Sequence, residues 1–229
     1  RAGEIGFALR PRLHNRSDHD MSVRYWTNAM LAPGGQNRIT DATRFIFPCD
    51  QITVHSAEED ALGPEGQAWA WPMVLGRDMS LLANWRGWFG FFERPQACNR
   101  FAGVYDLSAD EGIVRVFPPS VATGVKGFGF GSSVTSLPPS LWTDDGSSYV
   151  ELHGGLTPTF ADARLFTPGS AVEWEEYWYP VAGLQGLAAA GMAGAASAVW
   201  HGDTHMLELR LMPSRAIAGD VESLRPARQ

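Results

Sequence analysis

Residues 149–155 read YVELHGG. A carboxylate, Glu151, stands between apolar neighbours and two residues before His153, and a double glycine follows. In a strand, alternation puts Tyr149, Glu151 and His153 on one face and Val150 and Leu152 on the other, so carboxylate and imidazole are same-face neighbours. Such a pair can move protons or bind hydroxyl groups. Three roles are open to Glu151: a catalytic base, an acceptor in a sugar site, or a charge on the wet face of a strand. His55, closing QITVH at 51–55, and Asp106, in GVYDLSAD at 103–110, are strand-end polar residues of the same kind. Arg77 and Asp78 stand together in GRDMS at 76–80. An arginine there can fork onto vicinal hydroxyls or a carboxylate, while an ion pair that holds the loop is the commoner outcome.

Other chemistries drop out. No P-loop, dinucleotide fingerprint, zinc-protease helix or serine-hydrolase elbow is present. No pair of histidines has ligand spacing with a carboxylate, so neither a metal nor another cofactor is expected. His14, His19, His201 and His205 lie in a polar turn and a tail and read as surface residues. Cys49 and Cys98 allow one bridge at most, and buried thiols are the simpler reading. What remains is polar residues among aromatics, including nine tryptophans, and that mixture suits sugars. Flat apolar ring faces stack on aromatic side chains while polar groups fork onto hydroxyls. Any single tryptophan also fits core packing.

The elements that must position these residues are strands. The 229-residue chain is 45 % hydrophobic and 19 % charged, enough for a large core. Its 25 glycines and 15 prolines are scattered between short alternating runs. EIGFALR and MSVRYWTNAML, joined by a polar turn, read as an antiparallel pair. TRFIFP, QITVH, RFAGVYDL, GIVRVFP, SYVELHGG and AVEWEEYWYPV are further strands, rich in aromatic and β-branched residues. Residues 57–88 form a long connection without a clean period. Residues 183–199 are small-residue-rich and read as a weak helix or a linker, their glycines arguing against a stable helix. THMLELRLMP, at 204–213, alternates again, with Leu207, Leu209 and Leu211 on one face. The expected division is a main β domain over 1–187, then a small-residue linker and added strand over 188–229.

Eighteen basic residues against 25 acidic ones give a net charge of −7, and no basic run interrupts the chain. Nucleic-acid and anionic-membrane partners are therefore disfavoured. Lys126 is the sole lysine, arginine carrying the rest of the positive charge. No apolar stretch approaches the roughly 20 residues that span a bilayer, and no export signal is visible, which points to a cytoplasmic protein. Arg1 begins what reads as a strand, so a longer parent polypeptide is expected.

The ordered set VRYWTNAM, FIFPCDQITVH, WPMVLGRDMSLLANW, FAGVYDLSADEGIVRVF, LWTDDGSSYVELHGG and TPGSAVEWEEYWYPVAGLQG resembles a known family. It is similar to the uncharacterised mutarotase-like domain found ahead of tetratricopeptide repeats in many bacterial proteins, a member of the galactose mutarotase-like superfamily. The resemblance runs from about residue 5 to residue 187, and its most specific pieces are WTNAM, GRDMS and PGSAVEWEEYWYPV. It implies an all-β antiparallel β-supersandwich with a sugar cleft on the concave sheet, incomplete at its N-terminus and carrying a small C-terminal β extension. It also implies that the family's first strands lie upstream of Arg1, so that the missing N-terminal half, or a partner chain, completes the fold.

A more distant resemblance to aldose epimerases bears on mechanism. In those enzymes a glutamate takes the anomeric hydroxyl proton while a histidine protonates the ring oxygen. YVELHGGLTPTFAD is similar to the segment that carries the base, a glutamate on a strand followed by a loop with a phenylalanine and an aspartate. That places Glu151 at the base position. The acid does not carry over: where the epimerase strand has a histidine after the asparagine, Asn28 is followed by Ala29, and the histidine after YD is Leu107 here. The resemblance implies a cleft lined by Asn28, His55, Arg77, Asp78, Trp85, Asp106, Lys126, Glu151 and His153. Three functions follow: a carbohydrate-binding domain, an aldose 1-epimerase-like enzyme with Glu151 as base, or a non-catalytic scaffold for protein partners.

Overall fold

In a computed structural model, residues 5–94, 100–132 and 137–215 are described; Cys98 lies outside them. The fold is all-β, with three short 3-10 turns and only antiparallel pairing among the described residues. A five-stranded sheet runs, in spatial order, Phe7–Leu9, Glu176–Ala182, Glu111–Val116, Phe101–Asp106, Thr43–Ile46. A six-stranded sheet runs Trp26–Leu31, Val150–Gly155, Gly124–Gly129, Phe89–Glu93, Gln51–Ala57, Ala68–Ala70. The two pack face to face over one core. Ile52, Val54, Phe89, Phe91, Val125, Val150 and Leu152 meet Phe45, Ala102, Val104 and Trp178 there.

Because strand side chains alternate, packing that set inward turns Thr53, Phe92, Lys126, Glu151 and His153 to the outer face of the six-stranded sheet. Register then aligns them across strands. Asn28 pairs with His153, His153 with Lys126, Lys126 with Phe92, and Phe92 with Thr53.

An ion pair lies inside the core. Arg115 and Glu176 are 0 % and 1 % exposed, and Nε and Nη2 of the arginine donate to the two carboxylate oxygens at 2.7 and 2.6 Å. Trp174 Nε1 donates to the same carboxylate at 2.8 Å. The guanidinium fits because Gly154, on the facing sheet, has no side chain: a Cβ there would lie 2.2 Å from Arg115 Nη2.

The segment read as a weak helix or linker is strand instead. Ala189–Gly191, Gly194–His201 and Met206–Pro213 make a three-stranded sheet. It covers the outer side of the five-stranded sheet, where Tyr105, Val114, Tyr177, Tyr179 and Val181 pack with Leu184, Ala195 and Met212. Small residues suit this strand because Ala195 and Ser197 are buried close against that aromatic surface. Leu207, Leu209 and Leu211 share a face as alternation predicts, and that face is the exposed one.

The long 57–88 connection is ordered by its own contacts. It contains two 3-10 turns, a strand of the six-stranded sheet, and a hairpin pairing Met73–Val74 with Arg77–Asp78. Both sheets end on the same side, at Phe7–Leu9 and Trp26–Leu31. Between these edges lies an apolar gap of about 710 Å³, lined by Ile5, Phe7, Leu9, Ala29, Leu31 and Trp178 among others. Among the described residues no helix is long and apolar enough to cross a membrane.

Candidate functional site

The outer face of the six-stranded sheet carries a polar row bounded by aromatic rings. Glu151 Oε2 lies 2.8 Å from His153 Nε2, and the same nitrogen lies 3.3 Å from Lys126 Nζ. The Asn28 side chain also hydrogen-bonds Glu151. The four groups come from three adjacent strands, and no loop is needed to assemble them.

Aromatic side chains enclose this row. Lys126 Nζ stands 4.9 Å from the Phe128 ring centroid and 5.1 Å from that of Phe160. Phe160, on the loop after the Glu151 strand, meets Trp26, His55, Phe92 and His153 edge-on at 4.8, 5.2, 5.2 and 5.7 Å. On the other side Phe128, Phe130, Trp142 and Tyr149 form a chain of ring contacts at 5.1, 4.6 and 4.8 Å. Phe128, Phe130, Trp142 and Tyr149 are only partly buried, so ring surface remains open.

The double glycine after His153 has two separate causes. Gly154 faces the core and leaves room for Arg115, whereas Gly155 faces the outer side of the sheet and lies under the Trp26 indole. A Cβ on Gly155 would approach that ring to 2.4 Å. One glycine thus admits the buried ion pair and the next admits the tryptophan that walls the site.

The electrostatics follow from burial. Burial pushes the Glu151 carboxyl up, but hydrogen bonds from His153 and Asn28 and the charges of His153 and Lys126 outweigh it, leaving the group below its ordinary value. Burial holds His153 below its ordinary value despite the bond to Glu151. Burial and the neighbouring Lys126 charge lower His55, whose Nδ1 is 3.5 Å from Glu65. Lys126, 3 % exposed, is lowered by burial to about 8, the Glu151 charge opposing. At neutral pH this gives an ionised glutamate, two neutral imidazoles and a lysine that can lose its proton.

Four residues expected at a cleft lie elsewhere. Arg77 donates to Asn84 O at 2.8 Å and to Glu59 at 2.7 Å, bonds that lie within the 57–88 connection, and Asp78 accepts from Arg44 at 3.0 Å, which ties that connection to the five-stranded sheet. Trp85 is buried in the inter-sheet core beside Phe45 and Phe89, its Nε1 donating to Met79 O at 2.8 Å. Asp106, 0 % exposed, accepts from Thr40, Thr43, Ser108 and Ala109 and caps the turn after its strand. Each has the structural role natural to its type, and none reaches Glu151. Asn28, His55, Lys126, Glu151 and His153 do come together.

The rings that complete the site carried no assignment in the sequence. Trp26 and Phe128 reach it through strand register, and Phe130, Trp142 and Phe160 from segments outside the strands, the sequence offering only the FGF alternation at 128–130 and the phenylalanine of the loop after the Glu151 strand. Ala29 and Leu107 acquire a different meaning as well. Ala29 pairs with Leu152 and points into the core, and Leu107 follows a strand of the other sheet, so neither position faces Glu151. Among the described residues, no group of three or more His, Cys, Asp or Glu side chains is placed to hold a metal ion.

No family model matches the sequence. No curated protein matches it either. Solved structures do match. A TPR-domain containing protein from Parabacteroides distasonis aligns with a TM-score of 0.61 at 20 % identity, over 77 % of this chain and 28 % of that one. A provisionally named aldose 1-epimerase from Klebsiella pneumoniae subsp. pneumoniae gives 0.52 at 13 %, over 77 % and 43 %. A galactose mutarotase-like protein from Clostridium acetobutylicum gives 0.50 at 10 %, over 78 % and 53 %. The fold is galactose mutarotase-like, and the chain spans 28 % to 53 % of the length of these three structures.

Proposed function

We propose that the outer face of the six-stranded sheet is a carbohydrate-binding cleft. One observation carries this reading: Asn28, Glu151, His153 and Lys126 form a continuous row of hydroxyl-binding groups, flanked on both sides by partly open aromatic rings. Pyranose rings present apolar faces and a rim of hydroxyls, the complement of that arrangement. The mutarotase-like fold of the neighbours supports the same class of ligand by analogy.

The test is a panel of mono- and disaccharides titrated by NMR. At least one is expected to perturb Trp26, Trp142 and the His153 ring, and Phe128→Ala to weaken it about tenfold, the value of one lost aromatic contact. No response across the panel would sink the carbohydrate reading. The scaffold reading, in which the sheets merely present a surface for partners, would then lead.

The open side of the sandwich supports a further element of this proposal. Phe7–Leu9 and Trp26–Leu31 border an apolar gap, and edges of that kind are normally paired or covered. Additional strands, supplied by a further segment of the same polypeptide or by a partner chain, would continue both sheets there. Amide exchange in Trp26–Leu31 is expected to slow at least about tenfold in a longer parent polypeptide. Unchanged exchange would mean that nothing pairs at that edge.

A further inference from the structure

We infer that the chain forms a symmetric dimer in which the Met206–Pro213 strand pairs antiparallel with the same strand of a second copy, in one register centred on Leu209. Among the described residues that strand is a free edge of the three-stranded sheet, with Gly194–His201 on its other side. A free edge of this kind presents a row of unpaired peptide groups to another chain. Leu207, Leu209 and Leu211, each more than half exposed, line one face of it, with Trp200 beside Leu207.

The residues of the edge select the partner. Positions 206–212 read MLELRLM, a run whose apolar pattern is symmetric about Leu209 and whose two charges are opposite. Antiparallel self-pairing about Leu209 sets Met206 opposite Met212, Leu207 opposite Leu211 and Glu208 opposite Arg210, each match occurring twice. Residues directly opposite share a sheet face, so the leucines of both copies form one row and the charges meet on the other side. Glu208 already accepts from Arg210 Nε at 2.8 Å and lies 3.0 Å from His201 Nε2. Pairing joins the Glu208 and Arg210 groups of both copies into a ring of alternating charge. The neighbouring registers that keep leucine beside leucine are centred on Arg210 or on Glu208, and each sets two like charges opposite one another.

The backbone favours the same register. Ser214 N–H donates to Ala193 O at 3.0 Å, next to the Gly194–Pro213 pair, which makes that position a hydrogen-bonded pair. Counting back in steps of two turns the peptide groups of Met212, Arg210, Glu208 and Met206 toward Gly194–His201, and those of Leu211, Leu209 and Leu207 outward. The outward set is itself symmetric about Leu209. Pro213 has no N–H and ends the ladder. A second copy fits this edge better than an unrelated strand because one segment supplies both halves of every match, and the contact closes on a two-fold axis. The strand belongs to the layer over the five-stranded sheet, so the polar row on the six-stranded sheet takes no part. A seven-residue edge pair buries less than the roughly 800 Å² per partner of a standard interface, so a reversible dimer is expected.

Sedimentation velocity of the full chain from about 5 to about 500 µM tests this, with conversion from monomer to dimer expected across that range. Glu208→Arg and Arg210→Glu each oppose like charges twice and should each weaken the dimer about tenfold or more. Mixed in equal amounts, the two variants become complementary, and a heterodimer of about wild-type affinity is expected. That rescue is open only to correctly folded chains paired in this register. On the wild type alone, amide exchange of Leu207, Leu209 and Leu211 should slow about tenfold from the dilute to the concentrated sample, while that of Glu208 and Arg210 stays unchanged. A chain that stays monomeric throughout overturns the inference and leaves the edge to a strand of another polypeptide. A dimer that either single variant forms at wild-type affinity, or that protects none of the three leucine amides, overturns it in favour of stacked leucine faces.

Discussion

Arg115→Met is expected to destabilise the fold by about 3–5 kcal/mol, because it strands a carboxylate in the core. Glu176 is 1 % exposed and its carboxylate accepts both guanidinium bonds as well as the Trp174 N–H. Burial alone pushes that carboxyl up, but the Arg115 hydrogen bonds and charge, with the tryptophan donors, outweigh it and hold the group below its ordinary value. With the folded value depressed, the stabilisation is fully present above the unfolded carboxylate value and is lost as pH falls through the folded one. Removing Arg115 reverses the sign. Burial then dominates, the folded value rises, and the variant should be least stable at neutral pH and recover toward the wild type as the solution is acidified. Urea melts at pH 7 and pH 4.5 distinguish the two cases, and a uniform loss at both would mean that packing alone is at stake. Gly154→Ala should act through the same pair at a cost of about 1–3 kcal/mol, since its Cβ would displace a guanidinium already fixed by Glu176.

The strands were legible wherever alternation is strong. Placing Tyr149, Glu151 and His153 on one face needed only the period of a strand, and Val150 and Leu152 do lie in the core. Lys126 and Asn28 could not be joined to Glu151 in that way. Their proximity depends on register between strands far apart in sequence, which alternation within one strand does not contain. Asp106 and Arg77 illustrate the opposite failure. Each is a polar residue at a strand end or in a long loop, as a ligand-binding residue would be, yet each serves the turn or connection around it. Residues 183–199 were misread for a different reason: alanine and glycine carry little periodic signal, and this strand forms because an aromatic surface lies ready to receive small side chains. The HGG motif was visible from the outset, but its meaning required both sheets, since each glycine accommodates a residue from a different strand.

In the sugar-processing reading, with Glu151 as base, Glu151→Gln is expected to lower anomer exchange by about 10²–10⁴-fold, the range attributable to a positioned base. The substitution is nearly isosteric, and the amide oxygen can still accept from His153, so affinity for the same saccharide should change by no more than about threefold. The pH dependence sharpens the distinction. His153, Lys126 and Asn28 together keep the wild-type carboxyl below its ordinary value despite burial, so the carboxylate stays ionised through mildly acidic conditions and, on that reading, exchange should fail only as pH drops beneath the usual carboxylate range. Residual exchange in the glutamine variant should show no such acid limb. NMR exchange measurements from pH 3.5 to 7 read both features on one sample. A variant that exchanges anomers like the wild type would remove Glu151 from the chemistry and leave it a hydroxyl acceptor. A variant that loses binding as well would make the carboxylate a recognition group first, with its proton affinity set by the neighbours that hold it for the sugar.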